Sequence, residues 1–286
     1  MQPYRVKLTL SALFLIVCAG PWSSQNLTAQ GLDHALLSNL EYREIGPTRQ
    51  SGRFVDIAVP MQRPYTFYIA TASGGLWKTE NNGITFDVLF TEQDVFSIGA
   101  IALAPSDPDV LYLGSGEANN SRSSYWGDGI YKSIDAGESW TYKGLPESHH
   151  IGRIVVHPSN PDIVYVAALG HLYSENEERG LYKTTNGGGS WTRILGPEIE
   201  ERRIGIVDVV MDPTDTQTLY AASYDKVRLP FTFDLGGPGS RLYKTTDGGD
   251  SWIQLGAGLP EGMLGRIGVD VYERVPSIVY VTIENA

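Results

Sequence analysis

The chain has 286 residues, with 33 acidic against 22 basic side chains, a formal net charge of −11 and one cysteine. An acidic balance with no basic run excludes nucleic acid and anionic membrane surfaces as partners, because both are polyanions. The length suffices for a sizeable core, and a single cysteine excludes a disulfide framework, so stability must come from burial.

Residues 1–29 read as a secretory signal peptide. Arg5 and Lys7 precede an apolar run over residues 8–19, too short for a membrane span, and Leu27, Thr28 and Ala29 suit cleavage. Cys18 lies in that run, but Val17 stands where a lipoprotein signal wants a small residue. Cleavage leaves no cysteine and no transmembrane span. The expected location is secreted, periplasmic or at the cell envelope of a bacterium, with an uncleaved anchor as the alternative. Residues 30–50 form a lead-in. Leu32, Leu36, Leu37 and Leu40 have helical spacing, and residues 42–47 (YREIGP) read as a strand.

From residue 51 one pattern recurs, about 50 to 60 residues apart. The segments are GLWKTENNGITF (75–86), GIYKSIDAGESW (129–140), GLYKTTNGGGSW (180–191) and RLYKTTDGGDSW (241–252). An apolar run precedes each: 55–59, 98–104, 154–156, 206–211, and 267–271 for a fifth unit. Turn clusters such as PSDPD (105–109) and PSNPD (158–162) follow, where prolines fix φ and Asx side chains cap the turn. Next comes a strand centred on Tyr68, Tyr112, Tyr165, Tyr220 or Tyr280. A variable loop leads to the Tyr-Lys strand, the repeated box and a last strand, as at 140–143 and 191–195.

Each unit therefore holds four short antiparallel strands. One such sheet cannot bury both faces, so the units must stack, and the expected fold is all-β: a β-propeller of four-stranded blades. The blades are expected at about 51–91, 92–145, 146–196 and 197–258, with part of a fifth at 259–286. The first apolar run of each should lie innermost. Closed propellers need more blades, so further blades beyond Ala286 and an exposed sheet edge are expected.

The box is readable as a turn with a wedge. Thr79, Ser133, Thr184 and Thr245 open it. Asn81, Asp135, Asn186 and Asp247 can accept from backbone N–H groups of their own turn. Gly83, Gly137, Gly188 and Gly249 suit positive φ, and Phe86, Trp140, Trp191 and Trp252 should pack between sheets. A calcium loop needs more carboxylates, and only Asp247 with Asp250 comes near.

These segments resemble the Asp-boxes, or BNR repeats, of sialidases, xyloglucan-cleaving glycosidases and the sortilin receptor domain. HPSNPDIVYVAALG with GLYKTTNGGGSW is most similar to large bacterial secreted proteins of the sortilin-like or BNR-repeat glycosyl hydrolase type. The resemblance spans about residues 42–286 and speaks for the fold more than for an activity. It implies that the boxes lie on one rim, away from the ligand site.

The opposite rim should carry the segments that do not repeat: 117–128, 171–179 and 224–241, with blade links holding His149, His150, Arg153, Arg202, Arg203 and Arg266. Carboxylates, arginines and aromatics together suit a polar ligand. Candidate ligand contacts are Arg53, Asn120, Arg122, Trp126, His150, Arg153, His171, Arg179, Arg228, Asp234 and Arg266. The plain alternative is a solvated loop whose charges pair internally. A glycosidase needs two carboxylates, one kept protonated, and Glu117, Asp128 and Glu175 are the candidates. A sialidase needs three arginines around a carboxylate. Arg53, Arg153 and Arg266 each open an innermost strand, but they also suit bracing between blades. Residues 42–45 only approximate the sialidase signature. His149, His150 and His171 could ligate a metal, but no third ligand has recognisable spacing, so no metal or cofactor is expected. No nucleophile elbow or phosphate-binding loop is present.

The leading expectation is a secreted, sortilin-like recognition module that binds a peptide, protein or carbohydrate opposite the boxes. The first alternative is a glycoside hydrolase of xyloglucanase or sialidase type. The second is a structural domain of an envelope assembly.

Overall fold

The computed structural model describes residues 52–196 and 203–285. The expected signal peptide and lead-in, with Arg202, lie outside the described residues. Four sheets of four antiparallel strands follow one another in sequence. The first contains β1 (Phe54–Ala58), β2 (Phe67–Thr71), β3 (Leu76–Thr79) and β4 (Asp87–Leu89). The second contains β5 (Ile98–Ala104), β6 (Asp107–Ser115), β7 (Ile130–Ser133) and β8 (Thr141–Tyr142). The third contains β9 (Ile151–Val156), β10 (Val164–Ala168), β11 (Gly180–Thr184) and β12 (Thr192–Leu195). In the fourth, β13 (Ile204–Met211) and β14 (Leu219–Asp225) precede a small hairpin, β15 (Val227–Arg228) and β16 (Phe233–Asp234). The sheet then resumes with β17 (Leu242–Thr245) and β18 (Ile253–Leu255). A fifth sheet pairs β19 (Leu264–Val271) with β20 (Val279–Asn285). This is a β-propeller architecture of blades laid side by side, with β1, β5, β9, β13 and β19 as successive inner strands. Among the described residues, no helix is long and apolar enough to cross a membrane.

The core consists of seams between blades. One cluster joins Tyr68, Leu76 and Leu89 of the first sheet to Ile98, Leu111 and Tyr131 of the second. A second joins Tyr112 and Ile130 to Ile154, Val166 and Tyr182. The third unites Tyr165 and Leu181 with Ile206, Val209 and Leu219, and the fourth unites Tyr220 and Leu242 with Ile267 and Val269. Among the described residues, the second, third and fourth sheets bury both faces because a neighbour covers each, while the first and fifth keep one face exposed at Phe54, Ile57 and Tyr280. The inner strands pass so closely that a Cβ on Gly152 would lie 2.0 Å from the Val207 carbonyl oxygen.

The box turns share one geometry. In the third blade, the Thr184 hydroxyl donates to Asn186 Oδ1 at 2.8 Å and accepts from Gly188 N–H at 3.0 Å. Asn186 Oδ1 also accepts from Ser190 N–H at 2.9 Å, and Gly188 takes φ 82°. In the fourth blade, donors from Ser251 and Thr245 hold the Asp247 carboxyl well below its usual range. Trp191 reaches back, its indole N–H donating to the Lys143 carbonyl of the previous blade at 2.7 Å. Trp140 meets Phe90 edge-on at 5.4 Å, and Trp252 packs on the seam between the third and fourth blades. Phe86 departs from the expected wedge between sheets. It is 38% exposed and packs edge-on against Phe67 of its own blade at 5.9 Å.

The tyrosine and lysine of each unit are directly cross-strand: Tyr68 with Lys78, Tyr112 with Lys132, Tyr165 with Lys183, and Tyr220 with Lys244. In the first three blades both side chains reach the next blade. Tyr68 donates to the Ala136 carbonyl at 3.0 Å, Tyr112 to Pro161 at 2.9 Å and Tyr165 to Gly248 at 3.0 Å. Lys183 Nζ donates to that same Gly248 carbonyl at 2.7 Å. Tyr165→Phe should therefore cost only about 0.5–1 kcal/mol, because Lys183 still satisfies the carbonyl. Tyr165→Ala should cost about 3–5 kcal/mol by emptying the seam. Urea denaturation of the two variants checks the contrast.

Candidate functional site

The two rims are distinguished by hydrogen bonds. Box turns pair with the first hairpin turn of their own blade: Ala136 N–H to the Asp109 carbonyl, Gly187 to Asp162 and Gly248 to Gln217, each at 2.9 Å. At the other end, the loops after β6 and β10 meet the link before β9. Gly127 N–H donates to the His149 carbonyl at 2.8 Å, and Glu117 bridges to Ile151.

That link contains a 3-10 turn, Pro146–Ser148, flanked by Leu145 at φ 61° and His149 at φ 50°. The third-blade loop is knitted to it around Glu147. Glu178 Oε2 accepts from Glu147 N–H at 2.7 Å, Asn176 Nδ2 donates to the Glu147 carbonyl at 2.7 Å, and His171 Nε2 lies 2.9 Å from Glu147 Oε2. His171 Nδ1 lies 2.8 Å from the Ser174 hydroxyl. The His149 and His171 rings stack with centroids 3.7 Å apart, and Trp126 lies over His149 at 6.4 Å. Burial first, then the neighbouring His171, pulls the His149 pKa down. Burial pushes the half-buried Glu178 carboxyl up.

Trp126, Tyr125, Tyr173, His149 and His171 line a cavity of about 410 Å³, with Arg122 at its edge. Trp126 is 67% exposed, so its ring is available as an apolar platform. A second cavity, of about 640 Å³, lies between the fourth-blade loop and the fifth sheet and includes Asp234, Phe233 and Arg203.

The predicted residues divide by what holds them. Glu117 is buried, ion-paired with Arg53, and accepts from Asn119 Nδ2 at 2.7 Å. Asp128 accepts from the Ser115 hydroxyl at 3.1 Å and from the Tyr131 hydroxyl at 2.7 Å. Both carboxylates thus close the loop over residues 117–128. Glu175 is exposed. Arg153 donates to Asp208 of the next blade at 2.9 Å, and Arg266 to the Ala118 carbonyl at 3.2 Å. The three inner-strand arginines therefore have separate partners and do not converge on one anion. Arg179 corrects the expectation of a ligand contact. Its five donors go to Asn176 Oδ1 and the carbonyls of Leu169, Arg203, His171 and Ser174, leaving none for a ligand. Burial brings its pKa down to about 10.

His150 is buried, and its Nδ1–H donates to the Glu117 carbonyl at 2.8 Å, which fixes the tautomer. Burial, then Lys226, pulls its pKa down to about 3. Asn120 is buried at φ 55° beside Tyr224. Arg228 is buried with its guanidinium 4.6 Å from the Phe233 ring centroid, and its Nε has no acceptor among the described residues. Sequence reasoning missed Glu147 and Lys226. Glu147 precedes His149 by two positions, but that spacing alone identifies no site. Lys226 sits in a variable loop, where only the folded chain reveals its burial.

No family model matches the chain. Its fold is that of a β-propeller, and its sequence resembles those of glycoside hydrolases. It is 27% identical over 199 residues to an oligoxyloglucan-reducing end-specific xyloglucanase of Emericella nidulans, covering 65% of this chain and 22% of the relative. It is 25% identical over 233 residues to a xyloglucanase of a Paenibacillus species, covering 71% and 21%. Among solved structures, an ancestral GH74 enzyme matches with TM-score 0.59 and 23% identity, over 78% of this chain and 28% of that one. The GH74 xyloglucanase of Xanthomonas campestris matches with TM-score 0.56 and 18% identity, over 80% and 34%. The chain spans about a fifth of the length of these curated relatives. They are glycoside hydrolases, which favours that alternative over the recognition module placed first from the sequence.

Burial, and then the cations Arg179 and Arg228, bring the Lys226 pKa down to about 7; His150 is its other titratable neighbour. A lysine depressed from 10.5 binds fewer protons in the fold than in the unfolded chain between pH 7 and 10.5. Stability should therefore rise with pH across that window. Lys226→Met should stabilise the protein by on the order of a few kcal/mol at pH 6, with the gain vanishing towards pH 10. Thermal melts at both pH values check this.

Proposed function

We propose that these blades belong to a secreted glycoside hydrolase acting on a xyloglucan-type polysaccharide, and that the sugar chain binds across the loop rim. The observation that carries this reading is the 410 Å³ cavity on the rim opposite the boxes, lined by exposed Trp126, Tyr125 and Tyr173 beside polar imidazoles. A neutral sugar ring presents C–H faces to an aromatic plane and hydroxyls to hydrogen-bonding groups, and this lining offers both. The sequence likeness to xyloglucanases supports the same substrate class.

Hydrolysis needs two carboxylates across the scissile bond. Glu117 and Asp128 are engaged in holding their loop. Glu175 is exposed on the rim beside the cavity-lining segment, so we assign it as the residue of the three free to meet a sugar. A recognition module remains the second reading, favoured by the same engagement of Glu117 and Asp128.

The test uses the full-length protein and xyloglucan oligosaccharides. Reducing ends should be released, and Trp126→Ala should weaken binding at least about tenfold, or about 1.4 kcal/mol. Glu175→Gln should lower turnover with binding retained. Binding without turnover would return the protein to the recognition class, and neither binding nor turnover would reject the rim as a glycan site.

A further inference from the structure

Three side chains on the rim bring potential metal donors together. Glu147, His149 and His171 each offer one ligand atom, and these atoms all lie within 4.8 Å of one another. Glu147 Oε2 is 2.9 Å from His171 Nε2 and 4.0 Å from His149 Nε2. The sequence placed the two histidines 22 positions apart, and the carboxylate becomes their neighbour only through the 3-10 turn that the third-blade loop clasps.

Two imidazoles and one carboxylate form the donor set of a zinc site with an open fourth position. Metal–ligand bonds of about 2.0–2.1 Å in a tetrahedral array place neighbouring donors about 3.3 Å apart. The Glu147–His171 pair would open and the Glu147–His149 pair would close, each by less than about 1 Å. The stacked His149 ring would also turn about its Cβ–Cγ bond to aim Nε2 at the ion.

Other features favour a binding role for this cluster. The Ser174 hydroxyl engages His171 Nδ1 at 2.8 Å, the outer contact that orients a ligating imidazole and leaves Nε2 for a metal. His149 holds φ 50° and ψ −42°, a backbone conformation that a histidine rarely adopts and that the surrounding structure must enforce. Both histidines line the 410 Å³ cavity, so an ion held by them would present its open position beside Trp126 and Tyr173. Nitrogen donors in the majority disfavour calcium and magnesium, which take oxygen ligands.

We propose that Glu147, His149 and His171 bind a zinc-class divalent cation at the rim cavity, with the fourth position open to water or a ligand oxygen. This proposal is independent of the xyloglucan reading, because it requires no sugar.

The experiment is isothermal titration of zinc chloride into untagged, chelator-treated full-length protein, followed by cobalt(II) titration watched in the visible. One equivalent of zinc per chain and the intense bands of four-coordinate cobalt are expected, with no uptake of calcium. His149→Asn, chosen because asparagine tolerates positive φ, and His171→Gln should each weaken zinc binding at least about tenfold. Glu147→Gln, at an exposed position, supplies a variant with little folding risk and should weaken it likewise. Zinc should raise the Tm of the wild type and not of the double histidine variant. Absence of zinc binding, or one equivalent still bound by a folded double variant, would overturn the proposal. Zinc binding without xyloglucan binding would leave this site standing and the proposed function rejected.

Discussion

The first three blades each hold the next through one recurring contact, the tyrosine hydroxyl of the second strand buried in the seam. A buried hydroxyl without a partner costs on the order of 1–3 kcal/mol, so each must find an acceptor. It finds one outside its own sheet, in a turn of the following blade, at Ala136, Pro161 and Gly248 in succession. A main-chain carbonyl at the lower turns thus sets the height of each blade relative to the last. The cross-strand lysine adds a cation over the tyrosine ring, 5.2 Å from Tyr112 and 5.5 Å from Tyr165. With the lower rim clamped in register, the upper loops face one another across adjacent blades at repeatable positions, and a shared cavity between them becomes possible.

The same contact explains which parts of the structure were legible in advance. A glycine four residues after a hydroxyl, an Asx between them and an aromatic three later dictate a local turn whose hydrogen bonds lie within five residues. Strand order follows the chain, with consecutive sheet strands paired antiparallel even across the long loops before β7, β11 and β17. Phe86 shows where a local pattern is insufficient. It follows the same spacing as Trp191, but no described blade precedes it, so it folds back on Phe67. The wedge is a property of two blades, and the repeat encodes only one.

The rim was legible as a region and not as a set of roles. Arg179 looked like a ligand contact by type, yet its donors are consumed by four carbonyls and an amide that only the folded loop brings together. Glu117 looked like an acid available for chemistry, yet Arg53 from the neighbouring blade neutralises it. Glu147 carried no signal, since a glutamate two positions before a histidine is commonplace. Its proximity to His171 comes from a bend at Leu145 and His149 that no residue preference predicts. Side-chain chemistry on a variable loop is decided by which neighbours exhaust its donors and acceptors, and those neighbours are remote in sequence.

Three cations of this acidic chain are buried together beneath the rim loops. A protein with net charge −11 keeps Arg179, Lys226 and Arg228 buried on one face, beside a histidine held neutral. Carbonyl oxygens satisfy Arg179, an aromatic ring covers Arg228, and Lys226 approaches neutrality through its lowered pKa. Arg179 thus spends its donors on carbonyl and amide oxygens and Lys226 avoids a full buried charge by its lowered pKa, so neither relies on a carboxylate partner. An anionic ligand would gain from these charges only by displacing the contacts that hold the loops. A neutral polyol makes no such demand and can lie on the exposed aromatic faces while the loop framework stays intact. That asymmetry is the electrostatic reason to favour a neutral glycan over an acidic peptide on this surface.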